Sequence, residues 1–272
     1  MHNKSQSKLS EIEFFKKAIE NSSEYDVLTN EYLIYLKTTL LSKILPNKIP
    51  GFTDKKFKVL EAGCGTGTFS ELFLEVNPNL KIIGIDIVPE MINSANTKNI
   101  PNYRAILGDL EDNSLFNSGY LDIILCPFIL HHFPCLDKVF SNFAKWLKAD
   151  GFIILLEPNG SNPVRRLSDL VRHFIQFVFP HGTKFIINHG LATPNETSHS
   201  VNTYKKFLQK GNYRILFLDT KYFRPEDNKR TFSPQGKVIS IMGKLRQILY
   251  KIFNYLPSPY RGNSIVIIAI RE

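Results

Sequence analysis

The chain has 272 residues, 43% apolar and 22% charged, which allows one sizeable core and excludes wholesale disorder. Its three cysteines, Cys64, Cys126 and Cys135, form no C-x-x-C pair, which argues against a disulfide framework or a zinc cluster and suits a cytoplasmic setting. The formal charge of +9 is uneven: residues 1–157 carry 16 Lys and Arg against 19 Asp and Glu, and residues 158–272 carry 18 against 6.

The N-terminus lacks a signal peptide's apolar core, and no run approaches the ~18–20 apolar residues of a membrane span, so a soluble chain is expected. Residues 1–50 read as helical and precede the first strand, so they are expected to form a cap over a ligand cleft. From Phe57 to Glu157, β-rich runs at 57–62, 81–86, 103–108, 121–126 and 152–157 alternate with helical patterns at 68–76, 89–98 and 136–149. The strands are continuously apolar, the mark of a sheet covered on both faces. Pro89 opens the second helix, and Gly151 is expected to stop the third. Such alternation predicts an α/β, doubly wound parallel sheet.

Beyond Glu157 the rhythm changes. "PNGSNP" reads as loop, "VRRLSDLVRHFIQFVF" as a basic amphipathic helix, and "VNTYKKFLQK" as a helix stopped by Gly211. Strands are expected at 213–223 and 263–271. The predicted organisation is a cap at 1–50, a Rossmann-like core at 51–157, and a remainder at 158–272. That remainder holds basic insertions at 158–200 and 224–262 and the last two strands.

The stretch "FKVLEAGCGTGTFSELF" sets Gly63, Gly65 and Gly67 between a strand and a helix. Missing Cβ atoms let a turn tighten and a ligand approach the backbone. A dinucleotide fingerprint would put its third glycine at position 68, which is Thr here. Taken alone, the cluster is also compatible with a simple tight turn. Its company favours a ligand: Asp86 ends the second strand, where a carboxylate can take a ribose. Asp109 follows the third strand and can accept from an adenine amino group, or can cap a turn. Glu61 ends the first strand, where a carboxylate can balance a cationic ligand.

Together "VLEAGCGTGTFS", "IIGIDIVPEMI", "GDLED" and "LDIILCPFILHHF" resemble the motifs of class I S-adenosylmethionine-dependent methyltransferases acting on small molecules. The resemblance implies a seven-stranded sheet of order 3-2-1-4-5-7-6 with the last strand antiparallel and helical cap insertions. It implies S-adenosyl-L-methionine as cofactor, held by Tyr25, Glu61, Gly63, Cys64, Gly65, Thr66, Gly67, Asp86, Ile87, Met91, Asp109, Leu110, Cys126 and Pro127. It also implies methyl transfer to a small, lipid-linked or glycan acceptor, most plausibly at oxygen.

An acceptor hydroxyl needs a base. His131 and His132 are the candidates, against the reading in which they orient or edge their loop. Glu157, His189, Asn195 and Glu196 are the candidate acceptor-side residues, against a structural carboxylate and a solvated loop. No metal-ligand spacing is found. The basic insertions, with Ile239, Met242, Leu245, Leu249, Ile252 and Phe253 on one helical face, fit packing on the domain or peripheral contact with an anionic membrane. No RNA-binding module accompanies them, which disfavours nucleic acid. Two other function classes stay open: a catalytically silent methyltransferase-like binding or scaffold protein, and an NAD(P)-dependent oxidoreductase.

Overall fold

A computed structural model describes residues 2–21, 30–178, 196–223 and 248–272. Seven strands form one sheet: β1 (Lys58–Ala62), β2 (Lys81–Asp86), β3 (Tyr103–Leu107), β4 (Leu121–Pro127), β5 (Leu147–Pro158), β6 (Tyr213–Lys221) and β7 (Ser264–Arg271). Their spatial order is 3-2-1-4-5-7-6. β7 alone runs against its neighbours β5 and β6.

Strand residues alternate between two core layers, as a period of two requires. Leu60, Ala62, Ile124, Cys126, Ile153 and Leu155 face one side with Phe143, Trp146, Tyr204 and Leu208. These last four belong to α6 (Asp137–Trp146) and α8 (Val201–Lys210). Val59, Ile82, Ile123, Leu125, Ile154 and Leu156 face the other side, with Leu36, Leu40, Phe69 and Phe73. There the cover comes from α2 (Asn30–Tyr35), a π-helix (Leu36–Ile44) and α4 (Thr68–Val76). Both faces are dry, which is why these strands are apolar throughout.

Helix starts follow side-chain chemistry. Asn162 Oδ1 accepts from Val164 N at 2.9 Å, and Pro163 occupies the first turn of α7 (Pro163–Val178). The Ser200 hydroxyl accepts from Thr203 N at the head of α8, and Gly211 ends that helix.

One expected boundary is corrected. The helix expected over 136–149 stops at Trp146, because Leu147 already pairs with Leu121 in the sheet. The register then jumps from Leu121 to Ile123, and the left-handed residue of the resulting bulge is Asp150, at φ 60°. Gly151 therefore lies within β5 and does not stop the helix.

α1 (His2–Asn21) lies against α5 (Pro89–Thr97) and the strand ends. Lys8 pairs with Asp109 at 2.5 Å and with Glu111 at 2.6 Å, and Lys16 pairs with Glu90 at 3.0 Å.

Candidate active site

The carboxyl ends of β1, β2 and β4 converge beside the glycine elbow, the crevice in which open parallel sheets bind ligands. Gly63, Gly65 and Gly67 all adopt left-handed conformations, with φ of 67°, 50° and 83°. A Cβ at Gly63 would lie 2.4 Å from the Ile129 side chain, so close packing alone demands glycine there. At Gly65 a Cβ would meet nothing within 4 Å, so that position faces open space. The elbow is thus tight on one side and bare on the other.

Its amides have partners already. Gly63 N and Cys64 N donate to Ile85 O at 2.8 and 3.0 Å, and Gly67 N donates to Cys64 O at 2.8 Å. Gly65 N donates to Asp86 Oδ2 at 3.0 Å, and Asp86 Oδ1 accepts from Val88 N at 2.9 Å. A pyrophosphate needs free backbone donors at such a turn; these four are occupied. What the crevice offers instead are acceptors.

Glu61 is fully buried and accepts from the Ser70 hydroxyl through Oε2, while Oε1 has no hydrogen-bond partner. Burial lifts its carboxyl to about 8. A buried carboxylate oxygen without a partner carries a desolvation cost that a cationic ligand would remove. Burial also raises Asp86, against the hydrogen bonds from Val88 and Gly65. An amino-acid-bearing sulfonium fits this donor-poor, carboxylate-rich crevice better than a dinucleotide does.

Other expected cofactor residues fall in two groups. Met91 is buried on α5, Ile87 is half-buried, and the Leu110 carbonyl accepts from Asn142 Nδ2 at 2.8 Å. Asp109 closes its own turn by accepting from Glu111 N at 2.9 Å and carries Lys8 on its other oxygen. Cys64 and Cys126, by contrast, turn their side chains into the core. Cys64 packs near Ile92 and Ala105, and Cys126 among Leu130 and its neighbours. Only their backbone is left to line a ligand. Thr66 and Pro127 are buried at the elbow and at the end of β4. Tyr25, His189 and Asn195 lie outside the described residues.

The second cluster sits past β4 and β5. Glu157 Oε1 accepts from Ile129 N and Leu130 N at 2.9 and 2.7 Å, and Oε2 pairs with His131 Nδ1 at 3.0 Å. One buried carboxylate thus fixes the whole 129–131 turn. With a carboxylate as partner, Nδ1 carries the proton and Nε2, on the far side of the ring, is the acceptor. Burial, then neighbouring His132, holds the His131 imidazole well below its ordinary range, so it stays neutral; burial lifts Glu157 to about 7. His132 is turned toward α1, with Nδ1 at 2.6 Å from Glu11 Oε1 and its ring against Phe15. Glu196 pairs with Arg165, whose Nε donates to Ser198 Oγ at 2.6 Å. Thr197 N donates to His131 O at 2.6 Å, so the 196–198 segment is strapped to the histidine turn.

Sequence reasoning missed several participants. Phe128 takes φ 58° immediately after β4 and packs on Tyr32 and Phe69. Strain of this kind in a bulky residue gathers at functional sites. Arg165 is a second, and nothing in its spacing points to Glu196. A third is the asparagine clasp after β5. Asn159 Nδ2 donates to the carbonyls of Pro259, Arg261 and Gly262, and Asn162 Nδ2 to those of Tyr260 and Gly262. An Asn directly before Pro163 is a helix-start signal, which the loop reading of "PNGSNP" passed over. Among the described residues no group of His, Cys, Asp and Glu could hold a metal ion.

Comparison with known proteins agrees with this geometry. Residues 53–210 match a family described as a methyltransferase domain. A malonyl-acyl-carrier-protein O-methyltransferase of Paenibacillus sp. is 25% identical over 216 residues, 72% of this chain and 74% of its own. A ubiquinone biosynthesis O-methyltransferase of Colwellia psychrerythraea is 26% identical over 157 residues, 54% of this chain and 62% of its own. The chain spans less than two thirds of the length of most of the first curated relatives it matches. Geranyl diphosphate C-methyltransferase of Streptomyces coelicolor shares the fold, with a TM-score of 0.57 at 15% identity over 93% of this chain and 85% of its own. With the family match covering more than half its length, the chain belongs to the methyltransferase-domain family, and it shares its fold with an S-adenosylmethionine-dependent methyltransferase of Archaeoglobus fulgidus at 18% identity and a TM-score of 0.53 over 88% of this chain and 98% of its own.

Proposed function

We propose that the protein transfers a methyl group from S-adenosylmethionine to a hydroxyl oxygen of a small, lipid-linked or glycan acceptor. His131 takes the hydroxyl proton and Glu157 orients it. The observation that carries this reading is the 3.0 Å pairing of His131 Nδ1 with a fully buried Glu157. When bound, S-adenosylmethionine supplies a methyl group already activated by its sulfonium. What remains for the protein is alignment, exclusion of water and removal of a proton. A carboxylate acceptor would need no base, whereas a hydroxyl does, so an oriented neutral imidazole favours the hydroxyl.

The residues divide the work. Glu61 Oε1 would neutralise the cofactor's cationic end, and Asp86 would hold its ribose. Gly65, flanked by Gly63, Cys64, Thr66 and Gly67, would leave room for its chain. Ile87 and Met91 would pack on adenine, with Asp109 and Leu110 at its edge. The backbone at Cys126 and Pro127 would line the methyl group. Glu11 holds His132 as a positioning residue for the cap, and Arg165 with Glu196 keeps the 196–198 segment against the histidine turn. That the curated relatives quoted above carry O-methyltransferase names supports oxygen as the acceptor atom.

The test is a transfer assay with methyl-labelled cofactor and fractionated lipid and glycan extracts. Wild type should label an acceptor, and His131→Ala should lose labelling by roughly 10²–10⁴-fold with cofactor affinity unchanged. Transfer by His131→Ala within a few-fold of wild type would overturn the base. Cofactor binding by wild type with no labelling of any fraction would favour a silent, scaffold-like role.

A further inference from the structure

The apolar residues of α7 do not all point inward. Leu167, Leu170, Val171, Phe174 and Val178 are exposed, Leu170 by 67% and Phe174 by 63%. Their spacing of 3, 4, 7 and 11 places them on one stripe of the helix. The helical segment 248–253 and its continuation add Ile248, Ile252 and Tyr255, the last 93% exposed. Between α7 and the 257–262 loop lies a groove of about 540 Å³, lined by Ser161, Pro163, Arg166, Leu167, Leu170 and Tyr260. Exposed apolar stripes of this kind mark something that covers them.

Charge identifies the cover. Along 158–178 and 248–263, Arg165 pairs with Glu196 and Arg261 with Asp219 at 3.2 Å, which leaves Arg166 and Lys251, among the described residues, as the exposed cations of the face. Asp169 lies 3.9 Å from Arg165 and so belongs to the helix's own ion pair. Arg166 and Lys251 are exposed at the border of the apolar surface. An apolar stripe bordered by cations is the pattern of a helix lying in an anionic lipid interface. Among the described residues no helix is long and apolar enough to cross a membrane, so the contact would be peripheral.

Position gives the surface a purpose. The groove begins at Ser161 and Pro163, a few residues past Glu157, and Asn159 and Asn162 bind the 259–262 carbonyls that shape its far wall. One residue before Arg166, Arg165 enters the chain of contacts through Glu196 and Thr197 to His131. We infer that α7 and the 248–255 segment form a docking face for an anionic bilayer, which brings the acceptor side of the active site to lipid-tailed substrates. The second clause rests on the proposed reaction; the docking itself does not.

The test is co-sedimentation of the full chain with vesicles of phosphatidylcholine alone and of equimolar phosphatidylcholine and phosphatidylglycerol. Wild type should pellet with the anionic vesicles, at least fivefold more than with the neutral ones, and high salt should weaken the binding. Leu170→Asp with Phe174→Asp should lower the bound fraction at least tenfold, with thermal midpoint and cofactor affinity unchanged because both side chains are exposed. A wild type that stays in the supernatant, or a double variant that binds like wild type, would overturn the proposal. So would light scattering that finds a dimer split by the double variant, since the face would then join two copies. His131→Ala should still sediment, so loss of chemistry and loss of docking are read separately.

Discussion

The two halves of the molecule build their sites differently. On the cofactor side, β1, β2 and the elbow between β1 and α4 lie within thirty residues, and backbone conformation does most of the shaping. On the proposed acceptor side, the contacts join separate elements of the chain: His131 to Glu157, Thr197 to His131, Arg165 to Glu196, Asn159 to Arg261. The first is a local device repeated wherever a sheet must approach a ligand. The second is assembled by tertiary structure.

The largest expected effect falls on the acceptor side. His131→Ala should reduce methyl transfer by roughly 10²–10⁴-fold and leave S-adenosylmethionine affinity untouched, read by single-turnover assay and titration side by side. A matching loss of cofactor affinity would blur the division between the halves. His131 and Glu157 share one hydrogen bond, so the acid limb of the pH–rate profile belongs to the pair: burial keeps His131 neutral and lifts Glu157 to about 7, and Glu157→Gln should move the limb. A limb that Glu157→Gln leaves in place would mean that the pair does not govern it.

The elbow can be divided within itself. Gly63→Ala combines left-handed strain with a clash at Ile129 and should cost about 2–4 kcal/mol in chemical denaturation. Gly65→Ala meets no atom and should cost about 1–2 kcal/mol from backbone strain alone. Its methyl group would stand in the open side of the crevice, so cofactor affinity should fall further than stability does. Equal stability losses would show that the open side at Gly65 is not open.

Asn159→Ala leaves the Pro259 and Arg261 carbonyls without their side-chain donor, while Gly262 keeps Asn162, and should cost about 2–3 kcal/mol. Amide exchange should quicken in the 259–263 loop and not at the elbow. A pH slope tests the buried carboxylates. Glu61 has a folded value of about 8 against an ordinary 4.5, so the unfolded chain releases that proton first. Its contribution to stability is complete below 4.5 and is lost as pH rises toward 8. Thermal midpoints of the cofactor-free protein should therefore decline across that window, and Glu61→Gln should flatten part of the decline. Glu157, lifted to about 7, and Asp86, raised by burial, would contribute to the remainder.

The same division explains what the sequence disclosed. Strand apolarity, Pro89 and the 63–67 glycines are local signals, and β2, α4 and α5 stand where they were expected, within a residue. The end of α6 was misplaced because pairing of Leu147 with Leu121 overrides the helical pattern there and Asp150, not a glycine, takes the left-handed position. Asp86 and Glu61 could be singled out because strand ends are identifiable. The link from His131 to Glu157 could not, although the expected strand order puts β4 beside β5, since the turn that aims the ring is shaped by Ile129 N and Leu130 N bonding to that same carboxylate. Cys64 and Cys126 show the limit of carrying motif positions over: their backbone stands at the site while their side chains serve the core.

The central claim is that an elbow whose Gly63, Cys64, Gly65 and Gly67 amides are already bonded, with Glu61 at the end of β1 and Asp86 at the end of β2, is built for an adenosyl sulfonium. Calorimetric titration of S-adenosylmethionine into wild type and Asp86→Ala measures this directly. The account predicts clear binding to wild type and at least tenfold weaker binding to the variant, whose thermal midpoint should also fall because Gly65 N and Val88 N lose their acceptor. Equal affinity in the two proteins would contradict it.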